Sequence, residues 1–318
     1  MEENILNKSK IEVYVNNNPV CEATIESVMK SEVWNIKNKP YILIKGMGLE
    51  NGIQEVKIQK KNEILYKGNT EVLDNQMECK IDLEHPIESL TMLEVTVGSQ
   101  THEIPIKLSR IYGTVKYFDG RVIEKPVINI TGKDIAAIGD EKGNFEIYTY
   151  GSKCQMGVFE KDYSKETLEA WIYNIDNHED VELNIHIDKM EVYRIHMWNG
   201  EGSDYIHFTP MSLSRVQNAM KQGVESELEM LEKKGLWPTL DQKGVSVYAN
   251  EEKIKILSFQ EVPDFLTEYN NKIYSRNSYV LSIPKGHKGK VIKIQIEDQL
   301  KVGNKQINEK GEGYYFWK

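Results

Sequence analysis

The stretch RIYGTVKYFDGRVIEKPVINITGKDIAAIGDEKGNFEIYTYGSKCQMGVFEKDY, from Arg110 to Tyr163, decides the fold class. Its apolar residues come in short alternating runs, Ile111, Val115 and Tyr117, then Val127 and Ile130, then Phe145 and Ile147. A period of two is what a half-buried strand requires. Asp119-Gly120 and Asp140-Glu141-Lys142-Gly143 separate the runs. Asp and Gly tolerate the backbone conformations of tight turns, so these are hairpin connections. The pattern predicts a small β-sandwich and carries no catalytic signature.

Toward the N-terminus the same grammar continues. Strands are predicted at Ile11–Val15, Val20–Ile25, Glu32–Ile36, Tyr41–Lys45, Ile53–Gln59, Glu63–Tyr66, Glu78–Leu83, Leu93–Val97 and Glu103–Leu108, joined by turns such as Asn16-Asn17-Asn18 and Glu50-Asn51-Gly52. Regular short strands with polar turns predict an antiparallel sandwich of immunoglobulin-like type. Cys21, Trp34 and Cys79 approximate the Cys, Trp, Cys spacing of immunoglobulin domains, but Met77 stands where a tyrosine corner belongs. With only three cysteines, Cys21, Cys79 and Cys154, buried free thiols are expected in place of a disulfide framework.

Several residues of the central stretch resemble the carboxypeptidase regulatory-like family, a transthyretin-like β-sandwich. They are Gly113-x-Val115, Pro126-Val127-x-x-Ile130 and the turn Asp140-x-x-Gly143-x-Phe145-x-Ile147, followed by Gly151, Cys154, Met156, Val158 and Tyr163. Two positions depart from the family's habit: Gly139 stands where Thr commonly precedes the turn Asp, and Asp162 replaces the Gly before Tyr163. The resemblance implies a non-enzymatic accessory module of the kind found in secreted and envelope proteins, and thus a place in the bacterial envelope or exterior. The motifs specify turns, so they imply no particular ligand.

Toward the C-terminus, Met190–Trp198 and Tyr205–Phe208 flank the polar turn Asn199–Asp204 and predict a hairpin. A helix is expected from about Ser214 to Lys234, with Val216, Met220, Val224, Leu228 and Leu231 as its apolar stripe, Ser212 or Ser214 as cap, and Gly223 weakening its middle. Phe265, Leu266, Tyr269 and Ile273 after Pro263 predict a short second helix, Pro263–Tyr274. Further strands are predicted at Val245–Tyr248, Lys253–Phe259, Tyr279–Ile283, Val291–Glu297 and Tyr314–Trp317. The expected organisation is mainly β: an immunoglobulin-like sandwich (1–108), the regulatory-like sandwich (109–189), and a β-rich domain with a helical insertion (190–318). No flexible linker separates the first two, so a rigid end-to-end join is expected.

Charge narrows the partners. A net charge of −9 and a pI of about 5.5 argue against nucleic acid, whose phosphates demand clustered Lys and Arg. No apolar run reaches the roughly 18 residues of a membrane span, and Met1–Lys10 is too polar for a signal peptide. No membrane insertion is expected.

Five chemistries deserve weighing. His186, His196 and His207, with Asp188, Glu191 and Asp204 close in sequence, are the candidate zinc ligands, without an HExxH or CxxC motif. Asn199–Asp204 is a candidate calcium loop, holding two acids where calcium wants six to eight oxygens. Gly202-Ser203-Asp204 lacks the flanks of a nucleophile elbow, and Gly286-x-x-Gly289-Lys290 precedes a strand instead of a helix, so neither hydrolase nor phosphate loop is read there. Trp171, Tyr173, Tyr193, Trp198 and Tyr205 form an aromatic group fit to bind a sugar, with Tyr314–Trp317 as a second cluster. The expectation is a non-catalytic binding or structural protein without a resident cofactor, its partner a carbohydrate or a protein. Binding is assigned to Trp171, Tyr193, Trp198 and Tyr205. The rivals are a metal-assisted or glycan-directed hydrolase centred on the three histidines, and a structural subunit of a phage tail or similar assembly.

Overall fold

The structure is a computed structural model that describes residues 9–16, 40–85, 87–88, 90–131, 135–150, 153–175, 179–224, 229, 237–302 and 305–318. The protein is mainly β, as its alternating sequence predicts. The first part supplies β1 (Lys10–Asn16), β2 (Tyr41–Met47), β3 (Gly52–Lys60), β4 (Glu63–Val72), β5 (Gln76–Asp82), β6 (Leu90–Val97) and β7 (Gln100–Tyr117). Sheet β1-β2-β5 faces sheet β7-β6-β3-β4 across a core that includes Val15, Ile42, Ile44, Val56, Ile58, Leu93 and Val95. Cys79 lies in this core as a free, buried thiol, its pKa pushed up by burial. Cys21 and the strands predicted at Val20–Ile25 and Glu32–Ile36 lie outside the described residues.

β7 is the hinge of the architecture. At 18 residues it spans roughly 60 Å, too long for one sandwich. Its first half pairs with β6; its second half pairs with the next unit. That unit adds β8 (Val127–Ile130), β9 (Ile135–Ile138), β10 (Asn144–Tyr150), β11 (Cys154–Phe159), β12 (Ala170–Ile175) and β13 (Val181–Ile187). β10 runs antiparallel to β7, β13 parallel to it. The turn before β10 shows why its sequence is Asp-x-x-Gly. Asp140 Oδ1 accepts the N–H groups of Lys142 and Asn144, both at 2.8 Å. Gly143 has φ +76°, and a Cβ there would lie 2.7 Å from the Val115 carbonyl oxygen. Phe145, Ile147 and Val115 are buried in the core that follows.

The third part supplies β14 (Met190–Asn199), β15 (Asp204–Ser212), β16 (Val245–Ala249), β17 (Glu252–Ile254), β18 (Ser258–Tyr269), β19 (Lys272–Ile283), β20 (Lys290–Val302) and β21 (Lys305–Trp317). An eight-stranded sheet, β17-β16-β20-β21-β12-β11-β8-β9, serves two cores at once. β21 runs parallel to β12, and its alternation divides the labour: Tyr314 and Phe316 enter the middle core, Tyr315 and Trp317 the C-terminal one. Neither expected boundary, 108/109 or 189/190, interrupts the hydrogen bonding, because β7 crosses the first and β21 returns across the second. β14 lies over β21 at Gly311 and Gly313, where a Cβ would stand 2.4 Å from the Met190 oxygen and 2.6 Å from the Val192 oxygen. Small residues are required for that approach.

Two expectations are corrected. Helix α1 (Leu213–Lys221) begins as predicted, with the Ser212 hydroxyl accepting the Arg215 N–H at 3.2 Å. It ends at Gly223, which takes φ +79° and so closes the helix instead of weakening its middle. Met220 is exposed, while Val216 and Val224 pack with Ala219 and Trp237. Most of the predicted continuation to Lys234, including Leu228 and Leu231, lies outside the described residues. The second predicted helix, Pro263–Tyr274, is instead the β18–β19 hairpin. Pro263 sits on the edge strand, where a missing N–H costs no ladder bond, and Asn270 and Asn271 turn the chain with φ +49° and +59°.

Candidate functional site

The four-stranded sheet β14-β15-β19-β18 packs one face on the C-terminal core; on the other, Thr209, Ser278 and Ser282 are buried, while His196, Trp198, Ser258 and Gln260 are exposed. Met197, Ile206, Phe208, Leu281 and Tyr279 point into the C-terminal core. Alternation therefore sends their neighbours to the opposite side. Pairing places Trp198, Tyr205, Ser282 and Ser258 in one row across the four strands. His196, His207, Val280 and Gln260 form the next row. The Trp198 and Tyr205 rings lie 5.4 Å apart with planes 11° from parallel, and His196 stacks on Trp198 at 6.1 Å and 26°. At these separations parallel rings are offset, so part of each face stays uncovered. Trp198 is 38% exposed, and His196, Gln260 and Ser258 are also exposed.

A bulge extends the row. The register slips between Tyr193 and His196, where Arg194 adopts φ +55°, so Tyr193 opposes Thr209 and joins the face that carries His196. There it meets a fixed polar group. Arg276 donates to Asp264 Oδ2 from Nε at 2.9 Å and from Nη2 at 2.7 Å, and to the Tyr193 hydroxyl from Nη1 at 2.7 Å. Its guanidinium also lies 5.1 Å from the Tyr193 ring centre. Burial pushes the Tyr193 hydroxyl up to about 12, partly opposed by Arg276. Burial lowers the pKa of His207, which therefore faces the row as a neutral, hydrogen-bonding ring.

Sequence reasoning placed Trp198, Tyr205, Tyr193, His196 and His207 near one another, and the hairpin brings all five to one face. It missed Arg276, Asp264, Ser258, Gln260 and Ser282, which come from β18 and β19. Trp171 does not join them. It lies on β12 of the eight-stranded sheet, 6.1 Å from Tyr173, whose hydroxyl accepts the Arg194 N–H at 2.7 Å. The Trp171 indole N–H donates to Glu169 at 3.1 Å. Glu169 and Glu191 are each 6% exposed and within hydrogen-bonding reach of each other. Burial raises both pKa values, and the neighbouring carboxyl raises that of Glu191 further.

The three histidines are divided. His196 and His207 are cross-strand partners, whereas His186 is on β13, its ring 5.3 Å from Phe118 and its Nδ1 3.4 Å from Glu312. Among the described residues no group of three or more His, Cys, Asp or Glu side chains is arranged to hold a metal ion. In the proposed calcium loop, Asp204 turns inward, 2% exposed, and accepts the Trp317 indole N–H at 3.3 Å. That removes one of the loop's two acids. Among the described residues no helix is long and apolar enough to cross a membrane.

No family model matches the chain, and no curated protein matches it in sequence. Among solved structures, the chain is similar to a Bacteroides uniformis protein provisionally assigned as carbohydrate binding, at 10% identity over 65% of this chain and 97% of that one, with a TM-score of 0.21. It is also similar to a DUF3823 family protein from Parabacteroides merdae, at 10% identity, 65% and 98% coverage and a TM-score of 0.20. A third is the group B streptococcus pilus 2b backbone protein, at 10% identity, 56% and 91% coverage and a TM-score of 0.20. At these TM-scores the likenesses carry no argument about ligand or partner.

Proposed function

We propose that this chain is a non-catalytic binding protein that holds carbohydrate on the exposed face of sheet β14-β15-β19-β18. The observation that carries the reading is the offset row His196, Trp198 and half-buried Tyr205, in which His196 and Trp198 are exposed along with Ser258 and Gln260 of β18. A pyranose presents an apolar C–H face and a rim of hydroxyls. The rings supply apolar, π-rich contact at small conformational cost, and Ser258, Gln260 and neutral His207 supply donors and acceptors. Catalysis is not read into the site for a specific reason. The neighbouring carboxyls Glu169 and Glu191 are buried beside Trp171, while Asp264 on the ring face is tied to Arg276. A glycosidase needs two carboxyls that flank a bound sugar.

The reading extends to setting. The central sandwich is taken as a regulatory-like module on the strength of its Asp140–Phe145 turn, which favours the bacterial envelope or exterior. Retention on immobilised polysaccharides, compared between the native chain and Trp198→Ala, tests the carbohydrate assignment; equal retention of both proteins would contradict it.

A further inference from the structure

The middle sandwich is asymmetric in a way that leaves a strand's place open. One of its sheets consists, in this region, of β10, β7 and β13, while the facing sheet continues past β12 to β21 and β20. Among the described residues β13 pairs with β7 alone, and no described strand lies along its other edge. Along part of that edge, side chains of β21 act as substitutes. Glu312 Oε1 accepts the His186 N–H at 2.6 Å, and the Tyr314 hydroxyl donates to the Asn184 carbonyl at 3.0 Å. In a parallel ladder, residues two apart direct their backbone groups the same way. Glu182 therefore presents its N–H and C=O to the same side as Asn184 and His186. No hydrogen bond among the described residues occupies either group of Glu182.

The space beside Glu182 is a cleft of about 560 Å³. Val181, Leu183, Val291 and Phe316 are its apolar lining, set among charged side chains. The volume falls in the range typical of ligand sites. What the cleft recognises follows from its two kinds of surface. An unpaired strand edge binds extended backbone, and an apolar lining takes every second side chain. The remaining side chains would lie beside the outward face of β13, where Glu182 is exposed and its nearest polar partner is the Asn184 amide at 3.5 Å. The cleft is lined by more acids than bases, Glu179, Asp180, Glu182 and Glu251 against Lys290, Lys293 and Lys318, and Lys293 is held by Glu251 at 2.6 Å.

We propose that the open edge of β13 takes up an extended strand from a partner protein, apolar at alternate positions and basic between them. The strand would hydrogen-bond to Glu182, turn its apolar residues onto Val291 and Phe316, and set a Lys or Arg beside the Glu182 carboxylate. This surface is separate from the ring face of β14 and β15.

The test uses the full chain and a fluorescein-labelled octapeptide of alternating valine and lysine, read by fluorescence polarisation. Three companions accompany it: the same peptide N-methylated at alternate amides, in both registers; the variant Glu182→Lys; and the variant Trp198→Ala. The expected result is saturable binding, about tenfold weaker for Glu182→Lys, lost for one of the two methylated peptides, and unchanged for Trp198→Ala. Near-UV circular dichroism verifies that Glu182→Lys is folded. Absence of binding up to about 1 mM, where association is worth only some 4 kcal/mol, overturns the proposal. So does equal binding of both methylated peptides, which would indicate charge attraction alone. Concentration-dependent dimerisation in sedimentation velocity that the peptide reverses would assign the edge to a second copy of this chain, and would overturn the partner strand as well.

Discussion

Trp198 and Tyr205 stand directly opposite each other on β14 and β15, their rings 5.4 Å apart and 11° from parallel. A cross-strand aromatic pair of this kind contributes both to the hairpin and to the surface it presents. Because Trp198 is partly exposed, each single truncation should cost little stability. A double-mutant cycle with Trp198→Ala and Tyr205→Ala, followed by urea denaturation, should give a coupling of about 1 kcal/mol. A coupling near zero would mean that the rings do not stack in solution.

Arg276 organises the other end of the same face. It is buried and makes two bonds to Asp264 and one to Tyr193; the other cation near Asp264, Arg194, lies farther off at 3.9 Å. Arg276→Met should destabilise by about 2 kcal/mol, since it removes two charge-assisted bonds to Asp264 and leaves it only the more distant Arg194. Tyr193→Phe removes one hydrogen bond and should cost about 1 kcal/mol. Thermal or chemical unfolding checks both, and the expected order is more informative than either value.

The Glu169–Glu191 pair makes stability depend on pH. Burial raises both folded-state pKa values, so the folded protein holds more protons than the unfolded chain once pH exceeds the ordinary carboxyl value of about 4.3. Stability contributed by the pair is thus present in acid and declines as pH rises from there toward the raised folded values. Glu191→Gln keeps a hydrogen-bonding side chain and removes the titration. It should be more stable than the native protein at about pH 8, by roughly 1–3 kcal/mol, and show a flatter pH profile. A native protein whose melting temperature climbs between about pH 5 and pH 8 solely through this pair would contradict the reading; the Gln variant isolates that contribution.

Close approach of β14 to β21 rests on two glycines. Gly311→Ala places a methyl 2.4 Å from the Met190 carbonyl oxygen. The backbones must separate, and a loss of about 2–3 kcal/mol in denaturant unfolding is expected. An exposed control, Gly202→Ala, meets nothing within 4 Å and should be near neutral.

Much of this fold was legible because its turns are chemically explicit. Asp140 and Gly143 mark one hairpin, and the alternation in Met190–Trp198 marks another. The β18–β19 hairpin was legible too, through Asn270-Asn271, but Pro263 and the spacing of Phe265, Tyr269 and Ile273 invited a helical reading. Period alone does not decide such a run, and Pro is harmless on an edge strand. The parallel pairing of β21 with β12 joins Trp171 to Gly313 across the whole C-terminal part, and nothing local in either strand encodes it. The site was half legible for the same reason. Trp198, Tyr205, His196 and His207 share a hairpin, so their proximity follows from its turn. Arg276 and Asp264 arrive from strands far along the chain, and the bulge at Arg194 that turns Tyr193 to the same face has no sequence signature. Trp171 and His186 were close in sequence but belong to other sheets, which separates them from the row.

The most direct measurement of the central claim is calorimetric titration of a panel of soluble polysaccharides and oligosaccharides into the native chain, Trp198→Ala and His186→Ala. The account predicts at least one binder, weakened about thirtyfold by Trp198→Ala, equivalent to about 2 kcal/mol, and unaffected by His186→Ala. No binding by the native chain at millimolar ligand, or equal affinity for Trp198→Ala, would contradict it.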